Sequence, residues 1–433
     1  MTDTPLVNHH DLCLRPDASR VLVRPFRPTV EPRDNNPVDK PRANHIVGRI
    51  IALSPEAVEA ELEGVFDSFG RRHMGLSETL DTRAADMEAV LAPHPALSVA
   101  RRRLVGAYFL SEYSFEAAAL LNPSIFPHPD QTGIAAGSKR FVMSVRGVGE
   151  GHISSLSFRT GMIDAAGGLT LDPIMGLTPA PHIRGRTPRL QGEEIDVVFP
   201  VGTQISESVI FPITEAQKNG IEDARFVAFE DAGKTTYLAT YTAYSGQAIR
   251  SELLATSDFH SFRLSPLNGA AAQNKGMALF PRKIAGRYAM VARQDNENIH
   301  LLYSDDLYTW NDGQILLHPR YPWEFVQLGN CGSPIDLGPY WLLLTHGVGS
   351  MRRYSIGAAL LDKHDPTKVV ARSATPLIQG VGAEREGYVP NVVYTCGGMV
   401  HATWIVLPYG VADTFIRFAT IDVDALVAHL LAS

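Results

Sequence analysis

The hexapeptide Ile221–Phe226 places two adjacent carboxylates and a cation beside a run of residues typical of a β-strand. Glu222 and Asp223 are followed by Arg225, and the apolar run begins with Phe226. In a regular extended segment, Asp223 and Arg225 lie on one face and Glu222 on the other. A carboxyl group beside a fixed guanidinium could be the acid in a bond cleavage, with a pKa set by burial and by that neighbour. The alternative interpretation is a surface ion pair.

Composition and charge narrow the class of protein that carries this hexapeptide. The 433 residues suffice for one large or two ordinary domains, and 45% apolar and 20% charged residues are typical of a globular protein. A net charge of -7 without a basic block argues against nucleic acid or an anionic membrane as a partner. No apolar run approaches the ~18 residues of a spanning helix, and the N-terminus lacks the features of a signal peptide.

The cysteines indicate the compartment and the absence of a metal centre. The three cysteines, Cys13, Cys331 and Cys396, are too few and too scattered for a disulfide framework. We therefore expect a reducing, cytoplasmic location. No Cys-x-x-Cys or His-Glu-x-x-His spacing occurs, so the sequence predicts neither a metal site nor a cofactor.

The N-terminal part is predicted to consist of an arm followed by helices. Residues 1–46 are rich in Pro, Arg, Asp and Asn and predict an extended arm. Residues 47–121 predict a helical region, in which Ser54 is an N-cap before a proline. Its expected role is packing or the interface of a homo-oligomer. Three further helices are predicted, over 77–91, 97–110 and 114–121.

From Asn122 onward the pattern changes to pairs of short strands separated by Gly, Asp and Asn turns. Five such units occur, and the last four recur at about 50–60 residues, the length of a propeller blade. The prediction for 122–433 is a mainly β, five-bladed β-propeller, with a β-sandwich as the alternative. Inner strands of a propeller line a central channel. Charged residues that fall on or near such strands are Arg146, His152, Asp223, Arg225, Lys275, Arg293, His346 and Asp413.

Eight motifs in this region, taken together and in order, resemble glycoside hydrolase family 130. The resemblance covers about Asn122 to Thr420. It implies a five-bladed propeller that cleaves β-mannosides with inversion, either as a phosphorylase that uses inorganic phosphate or as a hydrolase that uses water. The motifs are Asn122–Ile125, Gly149–Ser155, Glu222–Arg225, Asn274–Pro281, Thr345–Val348, Ala359–Asp362, Pro390–Val393 and Tyr409–Thr414.

The resemblance assigns roles to individual residues. The general acid of the family falls on Asp223, beside Glu222, although Ala224 stands where phosphorylases usually have proline. Asp413 falls on the carboxylate that holds the mannosyl hydroxyls. The remaining substrate-binding residues that we expect are Asn122, Arg146, His152, Arg225 and Glu386. The phosphate or nucleophile pocket falls on Lys275, Arg293, Gln327 and His346, with Gln327 in place of the usual lysine.

The sequence favours hydrolysis of β-1,2-linked mannosides, because a phosphate dianion needs several cationic or N–H donors and one lysine of the pocket is lost. In an inverting hydrolase, Glu222 or Asp223 would supply the acid. A second carboxylate must activate water, and Glu150 comes before Glu386 as the candidate for this base. The alternative is a phosphorylase that releases mannose 1-phosphate, with phosphate as co-substrate. A second alternative is a non-catalytic propeller that binds a β-linked manno-oligosaccharide.

Overall fold

The computed structural model describes residues 5–26, 28, 42–94, 96–174 and 177–433, in two compact units. Unit 1 comprises Met1–Ala18, Phe115–Met175 and Pro181–Ser433, and unit 2 comprises Ser19–Ser114 and Gly176–Ala180. The first element, strand β1 (Val7–Leu14), belongs to unit 1. The segment that we predicted as an arm therefore contains a strand of a sheet, and its residues 1–4, 27 and 29–41 lie outside the described part.

Unit 2 is mainly helical. Its core is formed by apolar residues at helical spacing, among them Val47, Val58 and Leu104. The Ser54 hydroxyl accepts a hydrogen bond from the Ala57 N–H at 3.2 Å, which confirms the predicted N-cap. The elements are β2 (Val21–Pro25), α1 (Arg42–Ile51), α2 (Pro55–Phe69), α3 (Leu76–Asp86), α4 (Glu88–Leu91), α5 (Val99–Tyr108) and β3 (Leu110–Ser114), with β2 and β3 antiparallel.

The helix predicted over 114–121 is wrong. Phe115 is the first residue of this part of unit 1, and a strand starts at Ala119. Ala119, Leu120 and Leu121 are all buried, on both faces of that strand. A short run that is apolar on both faces fits a buried strand as well as a helix, so periodicity could not distinguish them.

Unit 1 is mainly β, as predicted. Its first sheet contains β4 (Ala119–Pro127), β5 (Lys139–Val148), β6 (Ser154–Ile163), β7 (Leu169–Leu171), β8 (His182–Arg189), β9 (Gly192–Val198), β10 (Val209–Ile210), β11 (Gly220–Asp231), β12 (Lys234–Tyr244), β13 (Ile249–Thr256) and β14 (Ser261–Pro266). A single parallel pair, Gly220 with Ser154, joins β11 to β6. On either side of that pair the strands are antiparallel.

Three further sheets complete unit 1. The second sheet is β15 (Ala278–Leu279), β16 (Tyr288–Ala292), β17 (Ile299–Ser304) and β18 (Gly313–Leu317). The third is β19 (Gln327–Asn330), β20 (Ile335–Asp336), β21 (Tyr340–Val348), β22 (Tyr354–Asp362), β23 (Val369–Arg372) and β24 (Ile378–Gln379). The fourth is β25 (Val393–Tyr394), β26 (Met399–His401), β27 (Trp404–Val411) and β28 (Phe415–Asp422), with β1 paired to β28. Helix α6 (Val423–Leu431) follows.

An aromatic cluster supports the strand that carries Glu222 and Asp223. Phe226 stacks on Phe126 with ring centroids 4.6 Å apart, and Phe158 contacts Phe226 edge-on at 5.8 Å. Each ring that is fully buried stabilises the fold by about 1.5–3 kcal/mol. The residues that follow Asp223 are therefore held in a close-packed core.

Within the described residues, no helix is long and apolar enough to cross a membrane.

A buried ion pair between Arg159 and Glu116 provides a test of what stabilises unit 1. The Arg159 guanidinium donates to both oxygens of Glu116 at 2.8 Å, and both side chains are almost completely buried. Arg159→Met should lower the free energy of unfolding by about 3–5 kcal/mol, because the buried Glu116 carboxylate loses the cation that donates to both of its oxygens. Urea denaturation measures this loss, and adding Glu116→Leu to Arg159→Met should recover much of it.

The exposed pair Arg186–Glu193 is the matched control, with side chains that are 41% and 45% exposed. Arg186→Met should cost no more than about 1 kcal/mol. Equal urea midpoints for Arg159→Met and Arg186→Met would contradict the role given to the buried pair.

Candidate functional site

Two β-bulges bring Asn122 and Asp223 together. The pairing of β11 with β12 shifts between Glu222 and Arg225, and that of β4 with β5 shifts between Leu121 and Ser124. Asn122 and Asp223 adopt φ values of 50° and 54° at these bulges. A bulge re-aims a side chain at the cost of local strain. The Asn122 amide donates to Asp223 Oδ1 at 2.5 Å, although 101 residues separate the two in the chain.

The bulge in β11 also overturns the predicted alternation of the two carboxylates. The Arg146 guanidinium donates to Glu222 Oε1 at 2.7 Å and to Asp223 Oδ1 at 3.1 Å. Both carboxylates therefore contact one cation, because the extra residue of the bulge breaks the regular two-residue period. Arg146 is itself oriented by Ser154, whose hydroxyl accepts from Nε at 2.9 Å. Among the described residues, both hydrogen bonds to the Asp223 carboxylate end on Oδ1, which leaves Oδ2 for a ligand.

Arg225 is buried and holds the backbone of the bulge. Its guanidinium donates to the Asp223 carbonyl at 2.9 Å, to the Cys331 carbonyl at 3.0 Å and to the Tyr394 hydroxyl at 2.8 Å. These three contacts fix Arg225 among groups of the protein rather than on the Asp223 carboxylate. The sequence indicated neither Cys331 nor Tyr394 as a partner, because Cys331 follows β19 and Tyr394 lies in β25, both more than 100 residues away in the chain.

The pKa values of the two aspartates are shifted in opposite directions. Burial raises the pKa of Asp223, but the charges of Arg146, Arg225 and Lys275 outweigh it and hold that pKa well below the ordinary range. The pKa of Asp413 is raised to about 6, chiefly by burial, against the opposing charge of Arg146. Asp413 has a φ of 47° in the turn between β27 and β28. Carboxyl groups whose pKa values are pushed apart are characteristic of acid–base sites.

Three of the four residues predicted for a phosphate pocket lie close together. Arg293 Nη1 is 3.3 Å from His346 Nε2, and both side chains are buried. Lys275 Nζ lies 3.8 Å from Glu222 Oε2, and a β-carbon added at the neighbouring Gly276 would lie 3.5 Å from the Arg293 Cβ. Burial, followed by the charges of Arg293 and Arg225, lowers the pKa of His346 well below its usual value. His346 is therefore neutral at pH 7, and the pocket carries two cations beside the carboxylates.

The fourth predicted residue, Gln327, is hydrogen-bonded to a neighbouring loop. Its side-chain amide donates to the Asn296 carbonyl at 2.6 Å. The sequence placed Gln327 with the other three residues by its position in the family motif. In the structure, the Asn296 carbonyl accepts a hydrogen bond from one of its two amide N–H groups.

The other predicted residues lie on the exposed side of unit 1. Glu150 and His152 belong to a short 3₁₀ turn after β5, and Glu386 is exposed as well. The His152 ring contacts the Tyr388 hydroxyl through Nδ1 at 2.6 Å. Tyr388 belongs to the same motif as Glu386, so the sequence contained a signal for it that we did not use. Among the described residues, no group of three or more His, Cys, Asp or Glu side chains could hold a metal ion.

Comparison with known protein families identifies the family of this chain. Residues 192–431, more than half of the chain, match the profile of glycoside hydrolase family 130, described as beta-1,4-mannooligosaccharide phosphorylase. The chain belongs to glycoside hydrolase family 130. The resemblance seen in the sequence motifs is confirmed, and the protein is a member of a family of enzymes.

Two curated relatives in this family are phosphorylases. A 1,2-beta-oligomannan phosphorylase of Thermoanaerobacter sp. (strain X514) is 33% identical over 223 residues, which is 51% of this chain and 74% of that protein. A beta-1,2-mannobiose phosphorylase of Listeria innocua is 34% identical over 229 residues, and this match spans 51% of the chain and only 63% of that relative's length.

A solved structure shares the fold. The beta-1,2-mannobiose phosphorylase of Listeria innocua, in complex with beta-1,2-mannobiose, matches with a TM-score of 0.53 and 22% identity. The match covers 73% of this chain and 93% of that one. At this level of identity the likeness concerns the fold of the family 130 chain and not its specificity.

The raised pKa of Asp413 predicts a pH-dependent contribution to stability. Between its unfolded pKa of 3.8 and about 6, the folded carboxyl group stays protonated while the unfolded one ionises. Stability should therefore fall as the pH rises through this window, by about 2–3 kcal/mol in all. Asp413→Asn should be more stable than the wild type above pH 6, and this difference should disappear near pH 4.

Urea midpoints of both proteins at the two pH values measure this effect, with the exposed Asp305→Asn as a control for losing a surface carboxylate. A difference between wild type and Asp413→Asn that is equal at both pH values would rule out the shifted pKa.

Proposed function

We propose that this family 130 protein is an inverting enzyme that cleaves β-linked manno-oligosaccharides, preferentially β-1,2-linked ones, by phosphorolysis, and releases mannose 1-phosphate. The observation that carries the proposal is the cationic pocket of Lys275, Arg293 and His346 beside the Glu222–Asp223 carboxylates. The sequence favoured hydrolysis. The names of the two relatives support the phosphorolytic alternative better, so it takes first place.

A five-bladed propeller would bring these residues to one channel. Divided at the parallel pair between β6 and β11, the described part of unit 1 contains five groups of antiparallel strands, with β8 and β9 next to β14 and β10 next to β6. We interpret each group as a blade, with β1 completing the blade of β27 and β28. The proposed site residues then come from every blade, and substrate would bind at the channel mouth.

In the proposed reaction, Asp223 gives a proton to the glycosidic oxygen. Its low pKa means that the free enzyme carries an ionised Asp223 at neutral pH, so the proton must arrive with the substrates. A phosphate anion beside Lys275 and Arg293 would offset the positive charges that lower this pKa, and the carboxyl group would then hold a proton. The arrangement thus couples the acid to the presence of the nucleophile.

Bond exchange at the anomeric carbon completes the proposed reaction. A phosphate oxygen attacks this carbon from the face opposite the leaving group, and the bond to the glycosidic oxygen breaks. That oxygen keeps the bonding electrons and takes the proton of Asp223. Asp413, as a carboxylate, would accept hydrogen bonds from hydroxyls of the mannosyl unit. Phosphate is itself the nucleophile, so no protein base is required.

Hydrolysis is the second candidate, and the position of Gln327 favours it. Gln327 offers no charge, and its amide is already bonded to the Asn296 carbonyl. Charge-assisted hydrogen bonds are roughly twice as strong as neutral ones, so phosphate loses a strong contact here. In this case Glu150 or Glu386 would have to activate water. A non-catalytic carbohydrate-binding protein is the remaining alternative, and it would not depend on the acidity of Asp223.

Asp223→Asn tests whether the protein is catalytic. The amide preserves the shape and the contact with Asn122 but cannot donate the acidic proton. We expect kcat on β-1,2-mannobiose to fall by about 10²–10⁴-fold, with an unchanged circular dichroism spectrum. If the variant kept more than about a tenth of the wild-type kcat, Asp223 would not be the general acid.

The choice between phosphate and water is tested by product analysis. Wild-type protein is incubated with β-1,2- and β-1,4-mannobiose, with and without inorganic phosphate. We expect mannose 1-phosphate from the β-1,2-linked substrate in the presence of phosphate and almost no cleavage in its absence. Gln327→Lys should lower the KM for phosphate by about 10-fold, because it adds a charge-assisted contact to the pocket.

Free mannose as the only mannosyl product, released at the same rate with and without phosphate, would overturn phosphorolysis and establish the hydrolase. Arg287→Lys, an exchange of an exposed cation paired with Asp305, is the control for non-specific effects on phosphate binding.

A further inference from the structure

Two turns in different sheets of unit 1 have the same structure. Residues 150–152 follow β5, residues 350–352 follow β21, and each turn is preceded by Gly-Val-Gly. A backbone hydrogen bond closes each turn, from the Gly149 N–H to Ile153 at 3.3 Å and from the Gly349 N–H to Arg353 at 2.9 Å. The last two residues of each turn adopt positive φ. The same turn structure thus occurs twice, once after β5 and once after β21.

The second turn carries an unusual residue at its strained position. Gly151 has a φ of 70° in the first turn, and Met351 has a φ of 56° at the corresponding place in the second. Arg352, which follows, has a φ of 53°. Positive φ is costly for residues with a β-carbon, and glycine would relieve the cost here. Met351 is also 91% exposed, so it gains little from packing within the protein.

Both turns border the segment that carries Asp413. The Tyr388 N–H donates to the Thr414 hydroxyl at 2.9 Å, and the Tyr388 hydroxyl contacts His152 at 2.6 Å. In the second turn, the Arg352 guanidinium lies 5.8 Å from the centre of the Tyr354 ring, which stacks on His346 with ring centroids 5.9 Å apart. The charge of Arg352 also lowers the pKa of Asp413, against the larger effect of burial. His152, Tyr388, Met351 and Arg352 are all exposed.

The exposed position of these side chains determines which part of a substrate they can reach. His346, Arg225 and Arg293 are buried and occupy the inner side of the site. A mannosyl unit held by Asp413 and Asp223 must therefore extend its remaining sugar units toward the exposed side. Sugars present C–H faces that pack on aromatic or thioether groups and hydroxyls that accept from cationic donors. Tyr388 and Met351 offer the first kind of surface, and His152 and Arg352 offer the second.

We propose that Met351 and Arg352, together with His152 and Tyr388, bind the sugar units on the leaving-group side and determine which acceptor the enzyme uses. This inference rests on the proposed function. In this proposal, the strained backbone at Met351 is retained because it directs the Met351 thioether and the Arg352 guanidinium over the mouth of the site. These residues are specificity determinants and take no part in the proton transfer by Asp223.

When the reaction runs in the synthetic direction, donor and acceptor are separate molecules, so the KM of each can be measured independently. With mannose 1-phosphate as donor and mannose or β-1,2-mannobiose as acceptor, Arg352→Ala should raise the acceptor KM by about 3–10-fold. The KM for mannose 1-phosphate should stay unchanged. Met351→Gly should also raise the acceptor KM, and it should increase the melting temperature because glycine relieves the positive φ. Arg287→Ala, at an exposed arginine paired with Asp305, is the matched control.

The outcomes distinguish this inference from the proposed function. If the wild type transfers mannose but both Arg352→Ala and Met351→Gly keep the wild-type acceptor KM, the inference is wrong while the function stands. If the wild type neither cleaves nor transfers, the proposed function fails. Calorimetric titration with β-1,2-mannobiose then decides the inference: weaker binding by Arg352→Ala than by Arg287→Ala supports it, and equal binding overturns it.

Discussion

The contact of one guanidinium with two carboxylates is the interaction on which the rest of the site depends. Arg146 lies between Glu222 and Asp223, and both acids are largely removed from solvent. Without this cation, two adjacent carboxylates at low dielectric would repel each other, and the pKa of at least one would rise. The ion pair therefore sets the protonation state of Asp223, and with it the condition under which that group can act as an acid.

Backbone strain is the second constraint, and it is concentrated where function is proposed. Asn122, Asp223 and Asp413 all adopt φ values near 50°. Such conformations persist only where the surrounding structure over-determines them. Arg225 provides this support for Asp223 by holding its carbonyl, and the stacked rings of Phe126 and Phe226 fix the strand that follows. The rigid core thus stabilises a geometry that the local sequence would not adopt alone.

The electrostatic balance around the pocket links acid and nucleophile. The charges of Arg146, Arg225 and Lys275 lower the pKa of Asp223, and Lys275 is also one of the proposed phosphate ligands. His346 is kept neutral by burial and by Arg293. An anion in this pocket would change the protonation of the acid as well as fill the place of the nucleophile. Water carries no charge and could not do so, and this difference is the physical reason for which we propose phosphorolysis.

The sequence by itself determined the local features and the family. The cap at Ser54 depends only on near neighbours, and the strand-rich character of unit 1 on local patterning, so both could be predicted. The Glu-Asp-x-Arg motif and its companions identified glycoside hydrolase family 130. They also singled out Arg293 and His346, which lie 3.3 Å apart, while the role of these residues in a phosphate pocket stays a prediction.

Only the tertiary structure decided how these residues meet. Strict alternation along β11 separated Glu222 from Asp223, but the bulge that joins them arises from pairing with β12 and from contacts with Asn122 and Arg146. The direction of the Gln327 amide depends on a loop carbonyl 31 residues away. The pKa values depend on burial that distant strands create. Each of these is a long-range property, because neither strand register nor desolvation is encoded in the neighbouring residues of the chain.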